Sequence, residues 1–439
     1  MRLYIYSFSL TMLFLPASSF GEVSIRGNVK TLWASDTNND DSIEHLFEGD
    51  TRLFAEGRLE KEHLSATLSF LSRFVIAGPR DLHQTYDANL YEAYLRWAKG
   101  AWALEGGERV IRWGVMEYVS PTDAINPKDL RRIIDPDVED TYLPVPILRT
   151  IYENKPWSLE GFYQPFFRDS KFDFFGTDAS IYRPYLTSQL GVPFVDFGGQ
   201  TDDSFENQIS NLIAKHPDDQ PHHGEGGMRI SYKFQEIDLS LVYLNKRETL
   251  PSLTLPQGAA SINPTSFASG QRVGSFPRKH MGGLTFRWMT DHGFTLKGEA
   301  LLQHRSTFYD SQLLRTRESN LIWTAGVDYD FNFEHFFTIE YGEDHIFDES
   351  KSYFLREKTD RSLSHAAIFN FDARTWTIEL KGTTILNQQA YWIRPKMIYR
   401  PSPPWELSIG ANFLGGSNNS LFGLFSNNDQ FFVAAKYLF

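Results

Sequence analysis

Hydrophobicity alternates with a period of two along most of this chain, and this alternation constrains the fold more than any other feature. The first such segment has an apolar and a polar series, namely Val23, Ile25, Gly27 and Val29 against Ser24, Arg26, Asn28 and Lys30. Successive side chains of a strand point to opposite faces, so each segment predicts a strand with one apolar and one polar face. A strand of this kind separates an apolar medium from a polar one.

The connections between these segments are short and long in turn. Tight reversals lie at 60–62, 99–100, 154–156, 235, 290–293, 332, 372–374 and 401–404. Long connections lie at 36–47, 76–85, 114–145, 168–224, 248–279, 306–316, 346–360 and 415–429. We count about 18 strands, and short inner turns with long outer loops are typical of barrels of this size. The pattern predicts an all-β fold, a transmembrane antiparallel β-barrel with short periplasmic turns and long extracellular loops. A propeller or sandwich would need no such asymmetry, and no repeat occurs at blade spacing.

The stretch Gln430–Phe439 reads as the closing strand. One of its faces carries Phe431, Val433, Tyr437 and Phe439 and is apolar throughout. A strand that ends on an aromatic residue resembles the last strand of bacterial outer-membrane barrels, although a buried strand of a soluble domain has a similar pattern. The resemblance implies that Phe431, Tyr437 and Phe439 form an assembly signal for the barrel-assembly machinery. We expect this strand to pair with residues 23–33, since a barrel in lipid can leave no open edge.

The beginning of the chain has the features of a secretory signal. Arg2 precedes an apolar run over residues 3–15, and small residues follow up to Gly21. We interpret residues 1–21 as a signal peptide and 22–439 as a single barrel domain, because the apolar run is too short for a spanning helix and contains Pro16. An uncleaved membrane anchor is the alternative.

Composition fits an exported barrel. The chain has no cysteine, and aromatic residues make up 15% of it. Its net charge of -12 excludes a protein that coats nucleic acid. Aromatic residues also mark the predicted inner interface, where an aromatic girdle would lie: Trp102, Trp157, Phe294, Phe331, Trp376 and Trp405 all stand beside short turns.

The polar strand faces would line the lumen, and they carry more basic than acidic residues. The predicted pore-lining residues are Arg52, Arg58, Arg96, Arg149, Arg287, Arg394 and Lys396. Acidic residues also face inward, among them Glu160, Glu299, Glu340 and Glu379. A basic wall attracts anions, since guanidinium groups stay charged and bind carboxylate or phosphate. The alternative is that these charges pair across strands and rigidify the barrel.

The connection 114–145 is the candidate constriction of the lumen. Asn126 could cap a short helix that starts at Pro127 and ends near residue 134. Apolar residues such as Ile125 and Leu130 need a surface to pack on, which the inner wall would provide. The predicted constriction residues are Glu117, Asp123, Asn126, Asp129, Arg131 and Arg132. The alternative is an outer loop that caps the barrel.

A family resemblance rests on residues 105–168. It is carried by Trp113-Gly114, by the run Asp123-Ala-Ile-Asn-Pro-Lys-Asp129, by 143–149 (Leu-Pro-Val-Pro-Ile-Leu-Arg), and by 159–161 (Leu-Glu-Gly) with 164–166 (Gln-Pro-Phe). This set resembles poorly characterised proteobacterial porin-like barrels and, more loosely, alginate-export-type outer-membrane barrels with an arginine-rich lumen. The resemblance implies a channel in the outer membrane of a Gram-negative bacterium and does not specify a solute.

Patterns for catalysis or metal binding are weak. The acidic loop from Asp36 to Glu44 fails the EF-hand pattern, because Asp41 stands at the glycine position and Phe47 at that of the bidentate glutamate. His222-His223 has no second pair at ligand spacing. No nucleophile motif surrounds a serine. We therefore expect no enzyme activity, no metal and no cofactor.

These observations predict an outer-membrane porin for passive diffusion or export of small hydrophilic, anionic solutes or a polyanionic polymer. One alternative is a barrel scaffold for polymer export or for a secretion partner, and another is an outer-membrane hydrolase. The expected partners are outer-membrane lipid, lipopolysaccharide and the barrel-assembly machinery. A homo-oligomer is a further possibility that the sequence does not decide, and nucleic acid is not an expected partner.

Overall fold

The computed structural model describes residues 22–37, 47–77, 83–131, 141–171, 217, 220–253, 274–311, 314–332, 334–348, 352–417, 420–426 and 428–439. The predicted signal peptide 1–21, Arg132 and most of the connection 168–224 lie outside this range.

Eighteen antiparallel strands form one closed barrel, as the alternation predicted. They are β1 Glu22–Asp36, β2 Phe47–Lys61, β3 Leu64–Ala77, β4 His83–Lys99, β5 Trp102–Arg109, β6 Val145–Asn154, β7 Trp157–Gln164, β8 Glu225–Phe234, β9 Ile237–Arg247, β12 Arg278–Met289, β13 Phe294–Tyr309, β14 Arg315–Phe331, β15 His335–Ile346, β16 Thr359–Phe371, β17 Trp376–Ile385, β18 Ala390–Ser402, β19 Trp405–Gly415 and β20 Gln430–Leu438. A separate two-stranded ribbon consists of β10 Ser252–Leu253 and β11 Gly274–Ser275, and a single helical turn, α1, spans Leu421–Leu424.

The barrel closes between β1 and β20. Their register runs from Asn28 opposite Leu438 to Asp36 opposite Gln430. Beyond it, the backbone N–H of Phe439 donates to the carbonyl of Gly27 at 3.0 Å, and the N–H of Gly27 donates back at 2.9 Å. Every barrel strand therefore has two neighbours, which satisfies the backbone where no water is present.

The outer surface is apolar, with aromatic pairs beside the short turns. Leu148, Leu241 and Phe431 are 62%, 63% and 57% exposed on this surface. Five residues of the predicted girdle contact an aromatic side chain of the neighbouring strand at 4.3–4.9 Å between ring centroids: Trp102 with Tyr152, Trp157 with Tyr232, Phe294 with Tyr329, Trp376 with Tyr399 and Trp405 with Tyr437. A closed barrel with an apolar outer face and an aromatic rim spans the outer membrane of Gram-negative bacteria. No helix within the described ranges is long and apolar enough to cross a membrane.

Three details differ from the sequence-based expectation. The turn 386–389 between β17 and β18 is short although it lies at the end of the barrel that carries the long loops. A bulge where β3 pairs with β4, between Ser69 and Phe70, turns Tyr91 into the lumen, although strict alternation with Ala93 and Leu95 would place it on the outer face.

The third difference is the helix predicted from Pro127, which is wrong for the described residues 126–131. No helix forms over these residues; Lys128 and Asp129 form isolated β-bridges to Tyr142 and Lys171, and backbone N–H groups here bond to other segments. The N–H of Asp129 donates to the carbonyl of Thr141 at 2.7 Å, and that of Leu130 donates to the carbonyl of Lys171 at 2.6 Å. The chain around Asp129 is thus held between two other segments.

Candidate functional site in the barrel interior

Residues 110–131, here called the inner segment, leave the end of β5 and pack against the inside of the barrel wall. Ile111, Trp113 and Ile125 are at most 3% exposed. They form one apolar cluster with inward-facing wall residues of β6, β7, β9, β12 and β13, namely Val145, Ile147, Phe162, Val242, Leu244, Met281 and Leu301. The inner segment therefore covers this part of the wall from within.

Glu299 of β13 is the main polar anchor of the inner segment. Its carboxylate, 2% exposed, accepts the backbone N–H groups of Val115, Met116 and Thr122 at 2.5, 2.9 and 3.0 Å. It also accepts the hydroxyls of Ser120 at 3.0 Å and Thr122 at 2.7 Å. A single wall side chain thus holds both limbs of the turn 115–122.

Glu340 of β15 continues this anchoring at the tip of the turn. Its two oxygens accept the N–H groups of Glu117 at 2.8 Å and Tyr118 at 3.1 Å. Lys297 of β13 lies 2.8 Å from Glu340 and 2.8 Å from Asp328 and supplies the balancing charge. The position of Tyr118 is consequently set by the wall.

A buried lysine holds the returning limb of the inner segment, and a buried glutamate holds the outgoing limb. Lys246 of β9 donates to the carbonyl of Ile125 at 2.5 Å and to Gln164 at 3.0 Å, and lies 3.2 Å from Glu225. On the outgoing limb, the indole N–H of Trp113 donates to Glu160 at 2.7 Å.

Asp123 and Asn126, both predicted as constriction residues, are used inside the segment. Asp123 accepts the N–H of Gly114 at 2.7 Å and the guanidinium of Arg112 at 3.0 Å. The Asn126 side chain accepts the N–H of Ile111 at 2.8 Å and donates to the carbonyl of Leu143 at 2.8 Å. These side chains shape the segment and do not line the main cavity described below.

Burial shifts the pKa of charged groups on the inner segment, and neighbouring charges oppose the shift. Burial alone would raise the pKa of Asp129, but the hydrogen bonds and charge of Arg131 hold it below the ordinary value of 3.8. Burial also disfavours the charged form of Arg112, while Asp123 raises the pKa of that guanidinium. The Asp129–Arg131 ion pair therefore stays charged at neutral pH and acts as a fixed tether.

Basic side chains beneath the inner segment are neutralised by acidic ones. Arg149 lies 2.9 Å from Glu105 and 2.7 Å from Glu160. Arg229 lies 2.9 Å from the other oxygen of Glu160. The charges on this part of the wall pair across strands, which is the alternative to an anion-attracting wall considered in the sequence analysis.

The opposite part of the wall borders an open cavity of about 610 Å³. Its lining comes from β1–β4 and β15–β20, with Glu117 and Tyr118 of the inner segment on the facing side. The charged lining comprises seven basic residues, Lys30, Arg52, Lys381, Arg394, Lys396, Arg400 and Lys436, and three acidic ones, Glu117, Glu379 and Glu406. The cavity is therefore predominantly basic.

Three of these basic residues and Arg73, which lies next to the cavity lining, form a continuous row across adjacent strands. Lys436 of β20 is directly opposite Lys30 of β1, Lys30 is opposite Arg52 of β2, and Arg52 is opposite Arg73 of β3. Like charges at directly paired positions destabilise a sheet. Asp50 offsets part of this cost, since it lies 2.7 Å from Arg52 and 3.4 Å from Arg73. The row therefore concentrates positive charge on this part of the wall.

The predicted pore-lining residues divide into three groups. Arg52, Arg394 and Lys396 line the cavity. Arg149 lies beneath the inner segment in ion pairs. The other three lie on inward positions near the short turns: Arg58 beside Glu60, Arg96 bound to Glu105, and Arg287 against Met289.

The predicted constriction residues are also distributed. Glu117 lines the main cavity, whereas Arg131 pairs with Asp129 and also with Asp87 of β4. Arg132 lies outside the described residues. Of the predicted assembly signal, Phe431 and Tyr437 lie on the outer face, and Phe439 is 52% exposed.

Several residues of the interior were missed by the sequence analysis. Tyr118, Glu225 and Lys246 were not singled out, and the role of Glu299 as an anchor was not foreseen. Alternation along β8 and β9 places Glu225 and Lys246 on inward positions, so the sequence pattern does indicate a pair of opposite charges on the lumen face. Within the described residues, no group of three or more His, Asp or Glu side chains could hold a metal ion.

Comparisons with known proteins agree with this architecture. Among solved structures, OccAB3 of Acinetobacter baumannii matches at 9% identity and a TM-score of 0.51, covering 95% of this chain and 99% of its own. OccAB2 of the same organism matches at 8% identity and a TM-score of 0.51, covering 95% and 98%. OmpF of Salmonella typhi, solved with Daunomycin, matches at 10% identity and a TM-score of 0.48, covering 96% and 99%.

At such low identities the OccAB structures show a shared fold. No functionally curated protein matches the chain. The family described as "Protein of unknown function (DUF1302)" matches residues 26–398, which include most of the barrel. The chain therefore belongs to the DUF1302 family.

Proposed function

We propose that this protein is an outer-membrane channel for small hydrophilic solutes with a preference for anions. The observation that carries the proposal is the basic row Lys436–Lys30–Arg52–Arg73 along the open side of the lumen. Three successive pairs of directly opposed positions are basic on both strands there, and Asp50 offsets part of their repulsion. A solute anion that passes along the row would offset this repulsion.

The inner segment supports the proposal because, among the described residues, it fills one side of the lumen and leaves the other side, here called the lane, open to solutes. It occupies the side of β6–β13, and the open cavity remains on the other side, with Glu117 and Tyr118 facing the basic wall. A barrel of this strand number is otherwise wide enough for a broad aqueous channel. In this proposal the inner segment is the constriction.

Planar-bilayer recording of the refolded protein tests the proposal. Under a salt gradient, the reversal potential should show anion preference, and the double variant Lys30→Gln/Lys436→Gln should shift it toward cations. Arg361→Gln is the matched control, since Arg361 pairs with Glu343 away from the cavity lining. Absence of conductance, or cation preference of the unaltered protein, would refute the proposal.

We propose further that the barrel-assembly machinery recognises the closing strand through Phe431, Tyr437 and Phe439. All three are exposed on the outside, where a second chain can reach them. Export of a polyanionic polymer is compatible with the same basic lane, and uptake measurements in a deletion strain would separate it from solute diffusion.

A further inference from the structure

The cavity beside the basic row is not lined as a simple aqueous pore would be. Lumen-facing positions of a water-filled barrel are expected to be polar. Here Phe54 of β2, Leu71 of β3 and Tyr91 of β4 line one flank of the cavity. The rings of Phe54 and Tyr91 meet edge to face at 6.1 Å between centroids. This flank presents an apolar surface to the lumen.

The other flank is apolar as well. Phe336 of β15 and Ile368 of β16 face the cavity there. None of these flank residues belongs to the apolar cluster that packs the inner segment against the wall. Their side chains are only partly buried. Packing of the inner segment therefore does not account for them.

Two further aromatic rings lie between the flanks and are held in place. The indole N–H of Trp392 donates to Asn412 at 3.2 Å. The backbone N–H of Tyr118 is bound by Glu340 at 3.1 Å, so this ring projects from a fixed turn. Rigid aromatic surfaces beside basic side chains suit a ligand with an apolar body and an anionic head.

We propose that this cavity is a binding site on the conducting lane for amphipathic monoanions, each with an aromatic or short aliphatic body and one carboxylate. The inference rests on the proposed channel function and names its substrate class. The basic row receives the carboxylate, and the flanks of Phe54 and Phe336 contact the body. The cavity volume of about 610 Å³ lies in the range of small-molecule sites.

The acidic lining residues favour a single charge on the ligand. Glu379 lies 3.5 Å from Lys381, and Glu406 lies 3.2 Å from Arg400. Glu117 faces the wall from the inner segment. A polyanion that extended along the cavity would approach these carboxylates, whereas a monoanion contacts the basic row alone.

The test compares phenylacetate with acetate, which lacks the ring, and with phenylacetamide, which lacks the charge. Binding to the refolded protein is measured by calorimetry, and block of the chloride current is measured in a planar bilayer. Phenylacetate should bind more tightly and block more strongly than either of the other two probes.

Variants then separate the two parts of the site. Phe54→Ser/Phe336→Ser should weaken phenylacetate binding about tenfold, the factor that a loss of about 1.4 kcal/mol gives, and should affect acetate less. Lys436→Gln, which removes a charge of the basic row, should weaken phenylacetate and acetate alike. Phe336→Leu should restore part of the phenylacetate affinity, and Phe347→Ser, outside the cavity lining, is the control. Retention of the SDS-resistant folded band verifies that each variant forms the barrel.

The outcomes distinguish this inference from the proposed function. Equal binding of phenylacetate and acetate by an anion-selective channel would overturn the inference and leave the channel function intact. Tight phenylacetate binding without any conductance would support the site and refute the channel. Absence of both binding and conductance would refute both.

Discussion

The carboxylate of Glu299 holds the inner segment against the wall, so replacing it should release the segment while the barrel stays closed. Glu299→Ala removes the acceptor of three buried backbone N–H groups, those of Val115, Met116 and Thr122. Each buried donor left without a partner costs about 1–3 kcal/mol. The three together destabilise the anchored position by roughly 3–9 kcal/mol before water enters and recovers part of the cost.

A net loss near the low end of this range has a measurable effect. About 4 kcal/mol corresponds to about a thousandfold rise in the population of the released segment. Because the segment fills the lumen beside β6–β13, its release should widen the lane and raise both the single-channel conductance and the current noise. The strand pairing of the barrel does not depend on Glu299, so the folded band on SDS gels should persist.

Two further variants sharpen this test. Glu299→Gln keeps one acceptor oxygen and turns an amide N–H toward the donors, so its conductance should lie between those of the unaltered protein and Glu299→Ala. Glu343→Ala is the matched control, since Glu343 pairs with Arg361 and does not contact the inner segment. Unaltered conductance and noise in a folded Glu299→Ala barrel would show that the segment does not obstruct the lane.

Three other predictions concern stability and assembly. Lys246→Met leaves the buried Glu225 without its closest cation. In urea unfolding this variant should be less stable than the unaltered protein by about 3–5 kcal/mol. The double variant Lys246→Met/Glu225→Gln, which also removes the buried negative charge, should recover part of this loss. The Asp129–Arg131 pair should stabilise the inner segment fully above the ordinary carboxyl pKa of 3.8, and this stabilisation should be lost as the pH falls through the lower pKa of the folded state. Acid should therefore raise the current noise of the unaltered protein. In Asp129→Asn, which lacks the carboxyl group, acid should cause no further rise. Gly27→Val places a side chain where the Phe439 ring and the carbonyl of Phe54 already lie, within 2.5 Å and 2.3 Å of the added Cβ. Both this variant and deletion of Phe439 should reduce the amount of assembled barrel in outer-membrane fractions. Normal amounts of both would contradict the role of this contact.

Much of the fold could be predicted from local pattern. Alternation with period two identifies each strand and its apolar face, because a strand in lipid must present apolar side chains on one side only. The same alternation placed Arg52, Arg394 and Lys396 on lumen positions, where the structure has them. It failed at Tyr91, because a bulge adds one residue to β4 and inverts the phase of the pattern locally.

The candidate site was less accessible from the sequence. Capping rules predicted a helix at Asn126, yet the amide of Asn126 binds Ile111 and Leu143. Those partners are brought near only when the segment folds into the lumen, so tertiary hydrogen bonds override the local preference. The anchors Glu299 and Lys246 act on residues more than a hundred positions away along the chain.

The sequence by itself determined the closed antiparallel barrel, its outward apolar face and its basic inner wall, because these follow from the period of the strands and the medium on each side. Only the tertiary structure decided which charged residues lie beneath the inner segment and which line the open cavity. That division depends on where the inner segment lies across the lumen. Its position results from contacts between residues that are distant in the chain, and no local pattern encodes such contacts.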